Sequence, residues 1–282
     1  MPVIDRDYIA NALTVSNYGQ RRSFSKTMTS NTVANTYSTL WDSDGIPSAG
    51  GYTGSAYTAV QVTSATAGAF SFTDPTSPRN LFLLGGDVTS NTASNTGTLI
   101  VLDRLLYYPG INHATTGTTA MTNGVSLPRS TTGAGVMAFL EVTTGLNATA
   151  HTVQLTYTDS ANNSGNVTTA ITPIASSAAR RIPYAGLYFP LASGDVGVRS
   201  VQNVIVTGAG ATGTSAVVLA KEICRIPMTS TGVVNKIDLL KEELDLPEIE
   251  DGAALMFILV TPAAATTPNV NGKFRAVELA VS

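Results

Sequence analysis

One cysteine, two histidines and one tryptophan occur in 282 residues, and only 12% of the residues are charged. With Cys224 alone there is no intrachain disulfide framework, and two histidines leave little for a zinc site. Globular domains average about 25% charged residues, so an unusually uncharged surface is expected. The net charge of −3, with no lysine between Lys26 and Lys221, argues against a protein that coats nucleic acid. The longest apolar run, Ala253 to Val260, is strand length and far short of the ~18–20 residues of a helical membrane span. The first residues, MPVIDRDYIANAL, lack the basic-then-apolar form of a secretion signal. Neither a nucleic acid nor a membrane is expected as a partner.

In place of charge the chain carries 40 Thr, 24 Ser and 25 Gly. Threonine-rich, glycine-punctuated sequence is the composition of half-buried strands joined by turns. Candidate strands recur from residue 80: 80–84, 98–107, 135–143, 152–158, 166–174, 183–191, 198–206, 215–223, 254–261 and 273–281. In HTVQLTYT, Val153, Leu155 and Tyr157 share one face while the threonines and Gln154 share the other. DSANNSGN, which follows, reads as a hairpin loop. Such regular spacing predicts an all-β protein, a β-sandwich or jelly roll, and not βαβ units. Two short helices are expected. One runs from an Asp5 cap to Leu13, and the other lies in VNKIDLLKEELDLP between Asn235 and Pro247, within a carboxylate run whose simplest reading is a solvated face.

Residues 14–79 differ, with scattered single aromatics on a polar ribbon. That pattern suits an arm laid across a neighbouring subunit, with Tyr37 and Trp41 as anchors. The expected organisation is therefore an extended arm over residues 1–79, a β-sandwich core over 80–228, and a short helix plus closing strands over 229–282.

Few motifs carry chemistry. Gly208, Gly210 and Gly213 form G-x-G-x-x-G after an apolar strand, the dinucleotide fingerprint, but the alternating residues from Ser215 read as a returning strand, and a hairpin loop is expected. His113 and His151 fall in no recognisable nucleophile arrangement. WDSDG, with Asp42 and Asp44, fails the calcium-loop spacing and reads as a turn. No catalytic residue, metal or cofactor is expected.

In order along the chain stand LIVLDRLLYYPGI with Asp103 and Arg104, SLPR, GAGVMAFLEVTTG, VQLTYTDSANNSGN, and LYFPLASGDVGVRSVQNVIV with Asp195 and Arg199. Through these segments, from about residue 99 to 206, the chain resembles a family of tailed-bacteriophage virion structural proteins. The resemblance implies a non-enzymatic particle component, located in the virion and assembled in the bacterial cytoplasm. Its partners would be copies of itself and other virion proteins, the major capsid protein among them. Capsid decoration or a minor head role is the first expectation. A tail, collar or fibre component is the alternative, with Tyr107, Tyr108, Tyr184 and Tyr188 offered to sugars. In GDVGVRSV, Asp195 is expected to brace a turn through its backbone amides, with Arg199 pairing either with Asp195 or with an intersubunit carboxylate; Asp103 and Arg104 are candidates of the same kind.

Overall fold

The computed structural model describes residues 6–14, 18–91, 96–242 and 246–280. Its strands are β1 (Gly19–Thr27), β2 (Tyr37–Thr39), β3 (Asp44–Ile46), β4 (Val60–Gln61), β5 (Arg79–Ser90), β6 (Gly97–Asn112), β7 (Gly117–Ala120), β8 (Val136–Thr144) and β9 (Thr152–Asp159). They continue as β10 (Asn166–Val167), β11 (Arg181–Ile182), β12 (Val198–Thr207), β13 (Thr214–Met228), β14 (Asn235–Asp238), β15 (Glu248–Ile249), β16 (Leu255–Val260) and β17 (Asn269–Ala280). Two short helices, α1 (Arg6–Thr14) and α2 (Leu239–Glu242), complete the described elements. The fold is all-β, as its composition predicts.

Three antiparallel sheets form. The central one runs β11-β2-β16-β6-β13-β8 with β4 added on β6; a second runs β14-β5-β17-β1-β3 with β15 on β5; a third runs β10-β9-β12-β7. β6 and β13 are 16 and 15 residues long, against about 5–6 for a common strand, and this length lets one sheet serve two sandwiches. Over the first half of β6, Leu99 and Val101 pack with Phe24, Leu83, Phe257 and Phe274 against the second sheet. Over its second half, Leu105, Tyr108 and Ile111 pack with Leu140, Leu155 and Val204 against the third. β9 buries every second residue, its apolar set facing inward.

The other face of the central sheet is also buried. Ile100, Leu102, Tyr107, Phe139, Met256 and Ile258 form a third cluster with Trp41 and Ile182. This cluster is enclosed because the sheet curls almost shut. The Arg180 amide donates to the Val142 carbonyl and the Thr39 amide donates to the Arg180 carbonyl, at 2.8 and 2.9 Å, so residues 180–182 span from β8 to β2. Strands buried on both faces read as continuous apolar runs, which is why LMFILV in β16 shows no alternation.

The extended arm is not formed. β1 pairs with β17 along its whole length, from Gly19–Val277 to Thr27–Asn269. Phe24 stacks on Phe257 and Phe274 at centroid separations of 4.4 and 5.7 Å. Trp41 is 1% exposed inside its own chain, and Tyr37, half-buried, lies in β2 opposite Val260 and Ile182. The low apolar density of residues 14–79 misleads because each isolated ring packs on a core whose other walls come mostly from residues 81–279. The boundary at residue 79 therefore separates no structural units.

Smaller departures follow the same logic. Residues 166–174 and 183–191 contribute only β10 and loops that cover the sandwich ends. At the start of the helix expected between Asn235 and Pro247, Asn235–Asp238 instead pairs with β5 and α2 follows, residues 243–245 lying outside the described ones; the expected Asp5 cap also lies outside them, while Ile9 and Ala12 of α1 pack on Phe82, Val277 and Leu279. DSANNSGN does join the paired β9 and β10. The 208–213 loop is followed by a strand, as expected, but crosses from the third sheet to the central one and closes no hairpin. At Gly213 φ is +99°, and a Cβ would lie 2.4 Å from the Gly145 carbonyl oxygen, so the crossing demands glycine.

Deleting residues 1–60 should therefore abolish cooperative unfolding of the whole β-domain, read by circular dichroism during a thermal melt. The milder Phe24→Ala should cost about 3–5 kcal/mol, lowering Tm by about 2–4 °C per kcal/mol for a protein of this size class. A fully cooperative melt of the truncated chain at the native Tm would contradict this placement.

Candidate functional site

Asp103 and Arg104 sit side by side near the middle of β6, and neighbouring strand residues point to opposite faces. Arg104 enters the curled sheet. Its Nη1 donates to Glu141 Oε2 on β8 at 2.7 Å, with both side chains fully buried. The guanidinium carbon lies 4.6, 5.1 and 5.5 Å from the ring centroids of Trp41, Tyr107 and Tyr52. Three aromatic faces thus supplement a single carboxylate around a desolvated cation. Among the described residues Arg104 Nε and Nη2 and Glu141 Oε1 find no hydrogen-bond partner. Burial, and then the Glu141 carboxylate nearby, push the Tyr52 hydroxyl well above its usual pKa.

Asp103 faces the other way and binds Arg129 through two parallel hydrogen bonds, Nε to Oδ2 at 2.9 Å and Nη2 to Oδ1 at 2.7 Å. Oδ1 also accepts from the Ala254 amide at 2.9 Å. Arg129 uses its remaining reach on the carbonyls of Val62 and Arg104, at 3.1 and 3.2 Å. One carboxylate therefore ties the loop at residue 129, the 62 segment and β16 to β6. The turn or interface role expected for Asp103 and Arg104 is not what the structure shows. They are core ion pairs.

Above Arg129 the chain reaches the surface at Ser130, which takes φ +48°. Its amide donates to Glu250 Oε2 at 2.9 Å, its hydroxyl bonds Glu250 Oε1, and Lys221 Nζ lies 3.5 Å from the same carboxylate. Burial pushes the Glu250 pKa up, but the Ser130 hydrogen bonds and Lys221 together outweigh it and leave the carboxyl below its usual value. These groups flank a groove of about 570 Å³ that also meets Asn80, Glu248 and Asp251.

GDVGVRSV forms a turn, with the Asp195 amide donating to the Ala192 carbonyl at 3.1 Å. The carboxylate of Asp195, however, accepts from the Tyr157 hydroxyl at 2.5 Å, and that oxygen accepts from the Ala192 amide at 2.8 Å. Burial, reinforced by this carboxylate, pushes Tyr157 up to about 12. The described ion pairs do not include Asp195 with Arg199. Arg199 instead lays its stem against Gly133, where an added Cβ would meet its Cγ at 2.6 Å.

The remaining motifs resolve into structure. The glycine fingerprint needs a helix after the turn, and β13 follows instead. The WDSDG loop wraps Lys26, whose Nζ donates to the carbonyls of Ser43 and Ser48 at 3.0 and 3.2 Å. Burial lowers Lys26 to about 8, opposed by Asp42 and Asp44. Of the four tyrosines offered to sugars, Tyr107 and Tyr108 are core residues, Tyr108 bonding Asn123 Oδ1 at 2.6 Å and the Val201 amide at 3.1 Å. Sequence reading missed Glu141 and Arg129 as partners, since both reach β6 from distant segments. For Glu141 the available signal was a carboxylate interrupting the otherwise apolar strand β8; Arg129, in a loop, gave none.

The surface carries isolated exposed apolar residues, Ile46 on edge strand β3 and Val196, Val233 and Val234 in loops. A groove of about 800 Å³ beside α1 is rimmed by Arg21, Asp87, Lys236, Asp238 and Arg275, charges of both signs.

Removing one member of the Arg104–Glu141 pair should cost about 3–5 kcal/mol, because the other charge is left buried without compensation. Replacing both, as in Arg104→Met with Glu141→Leu, should restore most of that loss. Urea titrations of the single and double variants check this, and equal losses in all of them would contradict it.

No family model and no curated protein matches the chain. Among solved structures it is similar to VP2 of infectious bursal disease virus. The subviral particle of VP2 aligns over 97% of this chain and 86% of that one, at 9% identity and a TM-score of 0.18. The VP2 of the Gx strain aligns over 97% and 87%, at 9% identity and a TM-score of 0.17. Likeness at that score carries no weight for fold or role, and the assignment rests on the residues themselves.

Proposed function

We propose that this chain is a non-enzymatic structural subunit of a bacteriophage particle: a capsid decoration, cement or minor head protein that binds other copies of itself and the major capsid protein. The observation that carries the reading is the distribution of charge. Two ion pairs, Arg104–Glu141 and Arg129–Asp103, are buried and tie segments of the scaffold together, whereas the surface is dominated by hydroxyls, amides and glycine. Interfaces exclude charge from their centres, and an uncharged β-surface settles against a neighbour with little desolvation penalty. Exposed valines and isoleucine at edges and loops supply apolar contacts without a continuous sticky patch. The resemblance across residues 99–206 points the same way. With the N-terminal region folded into its own chain, the partner contact falls to these edges and loops.

Quantitative mass spectrometry of purified particles tests the proposal by counting copies relative to the major capsid protein. Hundreds of copies per particle are expected. A handful per particle would place the protein at the tail or collar, and its absence from purified particles would overturn the virion reading.

A further inference from the structure

The only two histidines of the chain meet. His113 follows the end of β6, His151 precedes β9, and their rings touch across the seam between the central and third sheets, His113 Nδ1 to His151 Nε2 at 2.7 Å. His113 is completely buried and His151 is 5% exposed. The outer contacts fix the protons. His151 Nδ1 lies 3.0 Å from the Thr149 carbonyl, which only accepts, so Nδ1 carries hydrogen. In a neutral ring His151 Nε2 is then bare and accepts from His113 Nδ1–H. His113 Nε2 is bare in turn and accepts from the Ser215 hydroxyl at 2.8 Å. The order Ser–His–His has the polarity of a nucleophile relay, but Ser215 and His113 have no accessible surface and the relay serves the seam.

We propose that this pair is an acid-sensitive latch between the two sheets, closed while both rings are neutral and opened by their protonation. One added proton is a buried cation lacking a counter-charge. Two place N–H against N–H at 2.7 Å. The charged groups on the packed strands lie elsewhere or are engaged: Asp103 and Arg104 on β6, Glu141 on β8, Asp159 at the far end of β9, Arg199 at the start of β12, and Lys221, Glu222 and Arg225 beyond Ser215 on β13. The covering loops, residues 145–150 and 208–213, contain no charged residue. Burial, and then His151, lower His113 to about 4.

The segments that would move are also set by the structure. A Cβ on Gly208 would lie 3.0 Å from the Ala150 carbonyl oxygen and from His151 Cα, so the 208–213 loop rests directly on the latch. It is held by Asn147, whose Nδ2 donates to the Gly210 carbonyl at 2.9 Å and whose Oδ1 accepts from the Thr212 amide at 3.2 Å. The His113 amide donates to the Gly213 carbonyl at 3.1 Å, coupling ring and loop. A histidine with a folded pKa below its free value of about 6.5 leaves the closed state short of protons between the two pKa values. Its stabilisation is complete above about pH 6.5 and is lost as pH falls toward 4.

The test uses the full chain between pH 7.5 and 4.5. Nuclear magnetic resonance follows both imidazoles and hydrogen exchange follows the amides of residues 144–151 and 207–213. The expected result is a His113 titration well below 6.5, with the tautomers given above. The opening constant of those loops should rise up to about tenfold per pH unit below 6.5, or about a hundredfold by pH 4.5. His113→Gln, which keeps hydrogen-bonding capacity but cannot titrate, should flatten that rise. Two rings titrating near 6.5 with opening independent of pH would overturn the proposal, as would a His113→Gln protein that keeps the hundredfold change. Should that variant not fold, the titration of the native chain decides alone.

Discussion

Everything in this molecule is hung on β6, and β6 is fixed by two ion pairs that leave adjacent residues in opposite directions. Asp103 pulls Arg129, the residue 62 segment and β16 to one side; Arg104 pulls Glu141, and with it β8, to the other while filling a ring of aromatics. A strand flanked on both faces by core has no other means of specifying register than its side chains, since apolar residues alone slide at modest cost. Two charges of opposite sign at successive positions make a slip by one residue prohibitive, because each would then face the wrong partner in a medium that cannot solvate it. That requirement accounts for charge being retained where the surface has so little.

The curled sheet and the long shared strands follow from this arrangement. With β6 pinned in the middle, its two halves are free to serve different neighbours, the phenylalanine cluster of Phe24, Phe257 and Phe274 at one end and the Leu155–Val204 wall at the other. Register shifts along the β6–β13 pair, at Leu219–Ala220 with the extra residue on β6 and at Glu222–Cys224 with the extra residue on β13, let the long pair bend enough to do so. The closure through residues 180–182 then protects the Arg104 interior, so that a costly buried charge and the sheet's curvature support each other.

Alternation made the individual strands legible in the sequence: β8, β9, β12 and the start of β13 fall within a residue or two of their expected positions. What was not legible was which segments share a core. Residues 14–79 look too polar to fold because their apolar content is judged locally, whereas Phe24, Leu40 and Trp41 complete clusters assembled from residues up to 250 positions away. The short strands β2, β3, β4 and β11 have no periodicity to read at two or three residues each; pairing with a neighbour defines them, a longer strand for β2, β3 and β4 and β2 itself for β11. At the site, Asp103 and Arg104 were named through the family resemblance alone, and their partners Arg129 and Glu141 could not be matched to them without the sheet order. Asp195 was read as a turn-bracing residue that could pair with Arg199; in the structure its backbone amide closes the turn while its carboxylate accepts from the Tyr157 hydroxyl.

The histidines illustrate the same limit from the other side. Each looks unremarkable in its own segment, one after a strand and one before another, and only the crossing of the 208–213 loop between sheets brings them together. That crossing is glycine-rich for a steric reason, since the chain must pass over His151 and beside Gly145 with no room for a side chain. The sequence pattern that imitates a dinucleotide loop thus arises from a demand for close backbone approach, the same demand the true fingerprint meets at a pyrophosphate. Here the surface approached is the chain's own histidine seam, and the loop's freedom to lift from it is what makes the protonation state of two buried rings consequential for the end of the molecule that carries exposed, uncharged loops.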